Sequence, residues 1–344
     1  MNKRMSDCFV PRIARRGSGA ATCAFLAMTC LALPAGEAQG QSAWRPDKPV
    51  ELIVPTGPGA NNDRMVRLVQ KILQDRKLVA TPIMALNKPG GNQTLAVTYL
   101  TQRGADPHTL LLTNPAVFTN ELSGVTQVAY TSLTPIALLL VESNAITVKA
   151  DSPFKTMRDL IERLRTDPDT VSFAMPSRGG VPHLALAAAA KAGGVDPRKL
   201  KVVIFKSSSE SMIAVAGGHV QAMASSLASV MPQMQAGNLR VLAITARERR
   251  GGAAASIPTL REQGIPSDGP AAWRGLSAPG GLSAAQVVFW DEALPQVVDA
   301  PEWKAFLDNN DLSSSYLRSR DFAKYLEGEY RAIRAVMTDL GLLK

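Results

Sequence analysis

Cysteine is missing from everything after residue 30. The three in the chain, Cys8, Cys23 and Cys30, all fall within the first 38 residues. The remaining 306 residues therefore have no disulfide framework, no thiol nucleophile and no cysteine-bound metal. Histidine is also scarce: His108, His183 and His219 stand far apart, with no carboxylate or second histidine at ligand spacing, so no metal site is expected. Aromatics make up only 5% and the lysines and arginines form no block, which argues against nucleic acid as a partner. Past the first 38 residues, no apolar run approaches the roughly 18 residues of a membrane span. There is no Gly-x-Ser-x-Gly elbow, and the serines of "KSSSES" have no identifiable base, so they read as hydrogen-bond donors or turn formers rather than nucleophiles. No catalytic residue, cofactor or enzymatic activity is expected.

The first 38 residues have the three-part order of a secretory signal: basic residues from Lys3 to Arg16, an apolar stretch from about Ala20 to Leu33, then small residues ending at Ala38. This predicts an exported, periplasmic protein. The formal net charge is +9, of which the leader carries +3, leaving about +6 spread thinly over the rest. A diffuse positive balance suits small anionic molecules.

Short apolar runs alternate with helical patterns along the remaining chain. "VELIVP" precedes a helix from about Asn62 to Leu78 with Met65, Val69, Ile72 and Leu73 on one face; "VSFAMP" precedes an alanine-rich helix from Pro182 to Lys191. Continuous apolar strands separated by helices indicate an α/β fold with parallel sheets covered on both faces. Two extended stretches, "TPIALLLVESNAITVKADSP" and "AAWRGLSAPGG", break the alternation. They read as strands by which the chain leaves one domain and returns to it. The expected boundaries are 44–143 for the first part of domain 1, 144–272 for domain 2 and 273–344 for the return to domain 1. The C-terminal stripe Phe322, Tyr325, Leu326, Tyr330, Ile333, Val336, Met337 and Leu340 has helical spacing and reads as a core face. "RERRGGAAAS" (Arg247 to Ser256) reads as a mobile loop.

Two loops have the chemistry of an anion site. After the first strand come Thr56, Gly57, Pro58, Gly59, Ala60, Asn61, Asn62 and Asp63, where a glycine turn aims free N–H groups and a helix dipole at one spot. The Walker pattern fails for want of Gly-Lys-Ser/Thr. The dinucleotide fingerprint fails because Asn62 stands at the third glycine and no acid ends the next strand. What remains is a small-anion loop, or a plain glycine turn capped by Asn61 or Asn62. Asp63 reads first as a partner of Arg67 four residues on. "PSRGGVPH" repeats the arrangement: Ser177 offers a hydroxyl, Gly179 and Gly180 free the backbone, and Pro182 sits in the first helical turn. Arg178 can add a charge-assisted contact to a carboxylate or phosphate, or stand as a solvated loop charge. His183, at a helix start, reads as packing or capping rather than catalysis.

In order and at matching separations, "WRPDKPVELIVPTGPGANND", "NKPGGNQTLA", "PSRGGVPHLA", "KVVIFKSSSESMIAVAGGHVQAMASSLASVMPQMQAGNLRVLAIT", "IPTLREQGIP" and "WRGLSAPGGLS" resemble the Bug family. These are the TctC-like substrate-binding proteins of tripartite tricarboxylate transport systems. The resemblance spans Trp44 to the C-terminus. It implies a two-domain periplasmic-binding-protein fold of the Venus-flytrap, type II-like kind, with two crossing strands and no catalysis. It also implies a small carboxylate or dicarboxylate in the interdomain cleft, membrane transporter subunits as partners and a monomeric receptor. By the same resemblance the ligand is held by Thr56, Gly57, Gly59, Ala60, Asn61, Asn62 and Asp63 in one loop and by Ser177, Arg178, Gly179, Gly180, Val181 and His183 in the other. Gly90, Asn114, Ser207 and Ser225 border the cleft. A ligand-presenting role toward a sensor kinase is the alternative on the same fold. The chain departs from the family where Thr56 replaces an aromatic residue, Ser225 stands where many relatives carry an acid, and Arg178 adds a charge. These changes favour a more anionic ligand.

Overall fold

A computed structural model describes residues 44–344 apart from Lys206 and Asp311; the expected signal peptide, 1–38, lies outside the described residues. The chain first runs through β1 (Val50–Val54), α1 (Asn61–Asp75), β2 (Ile83–Asn87), α2 (Thr94–Thr101), β3 (Thr109–Thr113), α3 (Ala116–Leu122) and β4 (Leu133–Glu142). It continues through β5 (Asn144–Lys149), α4 (Met157–Thr166), β6 (Ser172–Met175), α5 (Val181–Ala192) and β7 (Lys201–Ile204). Then come α6 (Ser208–Ala216), β8 (Ala222–Ser226), α7 (Leu227–Gln235) and β9 (Leu239–Ile244). The return comprises β10 (Ala272–Pro279), α8 (Ala284–Val298), α9 (Pro301–Asn309), β11 (Ser313–Arg318) and α10 (Ser319–Asp339). Among the described residues no helix is long and apolar enough to cross a membrane.

Two mixed sheets result, in the orders β11-β4-β10-β3-β1-β2 and β7-β6-β8-β5-β9. β3 is buried at all five positions, with three leucines between two threonines, because helices cover both faces. On the first sheet, α1, α8 and α9 close one face around Met65, Val69, Trp290 and Trp303, and α2, α3 and α10 close the other around Phe118, Trp273 and Phe322. On the second, α4 and α5 cover one face and α6 and α7 the other. The helix α1 is shorter than expected, ending at Asp75, and its N-cap is Ala60 rather than an asparagine. The C-terminal stripe is a core face, with Phe322, Leu326, Ile333 and Met337 buried. Within the segment expected to be mobile, Arg249 pairs with Glu262, Arg250 Nε donates to Ser143 Oγ, and Ala254 is buried.

The registers fix how the sheets face each other. In the first, Gly275 pairs with Thr113 at the end of β3, and Ala272 pairs with Glu142 at the end of β4. In the second, Asn144 at the start of β5 pairs with Ser226 at the end of β8, and β6 runs parallel to β8. The β4–β5 crossing at Ser143 thus leaves one sheet, and enters the other, at the edge where the parallel strands end. The Asn144 amide donates to Pro270 O on the returning segment, so the two crossings lie side by side.

Candidate functional site

In open α/β sheets, ligands bind outside the carboxyl ends of the strands. Here two such edges meet at the crossings. The loop after β1 leads into α1 and the loop after β6 into α5, and the two loops have the same geometry. Gly59 has φ +78° and Gly179 φ +75°, a left-handed conformation that glycine adopts without steric cost. The next residues, Ala60 and Gly180, are extended N-caps with nearly identical angles (φ −66°, ψ 161° and φ −72°, ψ 164°). Neither can cap its helix with a side chain, whereas α4, α6, α7 and α8 are capped by Thr156, Ser207, Ser226 and Ser283. The first intrahelical bonds are Arg64 N–H to Ala60 O and Leu184 N–H to Gly180 O. The N–H groups of Asn61, Asn62 and Asp63, and those of Val181 and His183, precede them and have no intrahelical acceptor. These donors, on the positive ends of two helix dipoles, suit an anion.

The interior of each loop is held by its own helix. Asp63 is 3% exposed; Oδ2 accepts from Gly59 N–H (2.8 Å), Oδ1 from the Asn87 amide (2.8 Å), and Arg67 Nε lies 3.0 Å from both oxygens. Chiefly the Arg67 hydrogen bond, with those from Gly59 and Asn87, holds its carboxyl at about 2 against burial that would raise it. His183 is 2% exposed, and its Nδ1 accepts from Gly179 N–H at 2.9 Å. Burial first, then the nearby Arg178 charge, lowers its pKa to about 4. Asp63 thus pairs with Arg67 as its spacing predicts, and His183 is a buried residue at the helix start. The Asp63 carboxylate and His183 Nδ1 are bonded inside the loops, and so are the Gly59 and Gly179 N–H groups.

The other expected residues are placed as follows. Arg178 is exposed and has no side-chain partner among the described residues, so its guanidinium is available. Ser177 Oγ lies over the N-cap, where a Cβ on Gly180 would come within 2.2 Å of it. Thr56 Oγ1 is buried without a partner. Asn61 Oδ1 accepts from Arg64, and Asn62 Oδ1 from Arg274 Nε on β10. Asn114 Oδ1 accepts from Ala116 N–H ahead of α3. Ser207 caps α6, and Ser225 is wholly buried at the end of β8, donating to Ser226 O. Gly57 stands at the entry of the first loop, and Gly90 has φ +129°.

Several neighbours of the site escaped sequence reading. Arg274 contacts Glu142 (3.4 Å) as well as Asn62, joining the first loop to the crossing strands. A cavity of about 50 Å³, with room for water, lies among Asn62, Glu142, Arg274 and Ala228 of α7. Gln93 has φ +80°, is 4% exposed, and neither polar atom of its amide has a partner. Its only advance signal was the glycine pair of "NKPGGNQ". On the α5 side, Leu184 is fully buried in the first sheet's core beside Trp273, Phe322 and Ile333. Burying a leucine there contributes about 2 kcal/mol to seating the second loop against the first lobe. A cavity of about 1030 Å³ lies instead at the outer end of the second sheet, near Asp151, Arg163 and Gln221, away from both loops.

Two lobes joined by crossing strands, with uncapped helix N-termini at the edges that meet, define a two-lobed solute-binding protein. The chain belongs to the TctC family, described as the tripartite tricarboxylate transporter family receptor, whose model matches residues 65–342. The match begins inside α1, past the first loop. A relative from Cupriavidus necator, "UPF0065 protein in gbd 5'region", is 30% identical over 337 residues, covering 96% of this chain and 98% of the relative. Among solved structures, a TctC solute binding protein from Polaromonas superposes with a TM-score of 0.75 at 24% identity, covering 86% of this chain and 99% of that one. R. palustris Rpa4515 with adipate superposes with a TM-score of 0.71 at 23% identity, covering 86% and 98%. The fold is the α/β fold of these binding proteins.

Proposed function

We propose that this protein is an exported, non-enzymatic receptor. It closes its lobes over a small dicarboxylate and delivers it, as a monomer in the periplasm, to membrane subunits of a tripartite tricarboxylate-type transporter. The observation that carries the reading is the pair of matched, uncapped helix N-termini, one per lobe, at the edges that meet along the crossings. One carboxylate end would take the free N–H groups of Asn61 and Asn62 with Thr56 Oγ1. The other would take Val181 N–H, Ser177 Oγ and the Arg178 guanidinium. The adipate held by one structural neighbour supports the ligand class. A ligand that bridges both loops stabilises the closed arrangement by its differential contacts, with Ser143–Asn144 and Pro270–Ala272 as the hinge.

Titration calorimetry of the purified protein against a series of C3 to C8 dicarboxylates and their monocarboxylate counterparts tests this. Micromolar or tighter binding of at least one diacid, well above that of its mono-acid, is expected. A thermal-shift screen in which no acid in the series raises Tm would remove the reading.

A further inference from the structure

The two loops share more than a backbone path. Residue by residue, Gly57, Pro58, Gly59, Ala60 and Asp63 correspond to Ser177, Arg178, Gly179, Gly180 and His183. In each loop the N–H of the left-handed glycine donates to the side chain four residues on, at 2.8 Å in the first and 2.9 Å in the second. That bond turns the glycine N–H inward and leaves the next N–H groups pointing out of the helix end. The acceptors differ chemically, and the neighbours explain why. Asp63 has Arg67 at i+4 to neutralise it, whereas the residue at i+4 from His183 is the fully buried Ala187. A carboxylate at 183 would lack that i+4 cation and would set a buried negative charge against the nearby Arg178, at the helix end that has to receive the ligand's own charge. A neutral imidazole with an unprotonated Nδ1 supplies the same acceptor without that charge.

We infer that Asp63 and His183 are paired positioning residues, matched side-chain staples that set the two ligand-binding loops without touching the ligand. His183 acts as the Nε2–H tautomer and is the charge-neutral counterpart of Asp63. The Asp63–Arg67 pair cancels, so the uncompensated charge is Arg64 at the first loop and Arg178 at the second. The binding consequence rests on the dicarboxylate reading; the loop geometry does not.

Two measurements separate the inference from that reading. In long-range ¹H–¹⁵N NMR of the ligand-free protein, the His183 Nδ1 signal should be that of an unprotonated nitrogen at pH 7. A protonated Nδ1 overturns the inference whatever the protein binds. The second is adipate titration of three variants at pH 7. His183→Asn, whose Oδ1 reproduces the Asp63 geometry, should bind within about threefold of the wild type. His183→Ala should bind roughly tenfold more weakly, about the worth of one hydrogen bond. His183→Asp, which restores the acceptor but adds a charge, should bind more weakly than His183→Asn. Equal loss in the asparagine and alanine variants, both folded by circular dichroism, overturns the inference, as does an aspartate variant equal to the asparagine one. If wild-type protein binds neither adipate nor any other diacid, the receptor reading fails and the NMR result alone decides the staple.

Discussion

The His183 staple makes a quantitative prediction about acid stability. In the folded protein the ring is 2% exposed and its pKa drops from 6.5 to about 4. Above pH 6.5 the imidazole is neutral in both folded and unfolded chains and contributes no pH dependence. Between pH 6.5 and 4 the unfolded chain takes up a proton that the native loop refuses, so stability falls as the pH falls; below 4 the effect levels off. Between pH 7 and pH 4.5 the loss from this residue is about 2 kcal/mol. Urea unfolding of the wild type and of His183→Asn at those two pH values isolates it, because every other titrating group is common to both proteins. Asp63 loses its contribution in a lower window, from 3.8 toward 2, and so stays out of the comparison. The variant should lose about 2 kcal/mol less than the wild type over the interval. Parallel losses in the two proteins would falsify the claim that a buried, neutral His183 holds the second loop.

Other substitutions test the loops separately. Gly59→Ala forces a side chain into φ +78°, which costs roughly 1–2 kcal/mol, and should lower Tm although open space surrounds the new methyl group. Gly180→Ala puts a Cβ 2.2 Å from Ser177 Oγ, a side-chain end that can swing away. Stability should change little while diacid affinity falls in calorimetry; unchanged affinity would show that Ser177 makes no ligand contact. Arg178→Ala should weaken a diacid more than its mono-acid, by roughly tenfold or more, since a hydrogen bond to a charged group contributes about 1.5–3 kcal/mol. Equal loss for both would remove Arg178 from the distal carboxylate. Asp63→Asn keeps an acceptor for Gly59 N–H but loses the Arg67 pairing, and should cost about 2 kcal/mol at pH 7 and flatten the acid transition between pH 3.8 and 2.

Much of this protein is legible in one dimension because the signals are local. Apolar runs such as "VELIV" and "TLLLT" are strands buried on both faces, the stripe from Phe322 to Met337 is one face of one helix, and a Gly-x-Gly or Gly-Gly turn before a helix exposes amides however the rest is packed. The two crossings were visible for the same reason, as extended stretches where a helix should have followed. What the linear chain leaves open depends on residues far apart in it. Whether a loop N–H is free or already spent depends on where a side chain one helical turn on is driven. Burial turns Asp63 and His183 inward, where each accepts from the glycine N–H of its own loop. Arg274 reaches Asn62 across 212 positions, and Leu184 joins the buried cluster of the first sheet that includes Trp273, because the sheet registers bring those segments together. Periodicity reports which face of an element is apolar. Which other element covers that face, and which hydrogen bonds remain open at its end, is decided only when the two sheets meet at Ser143.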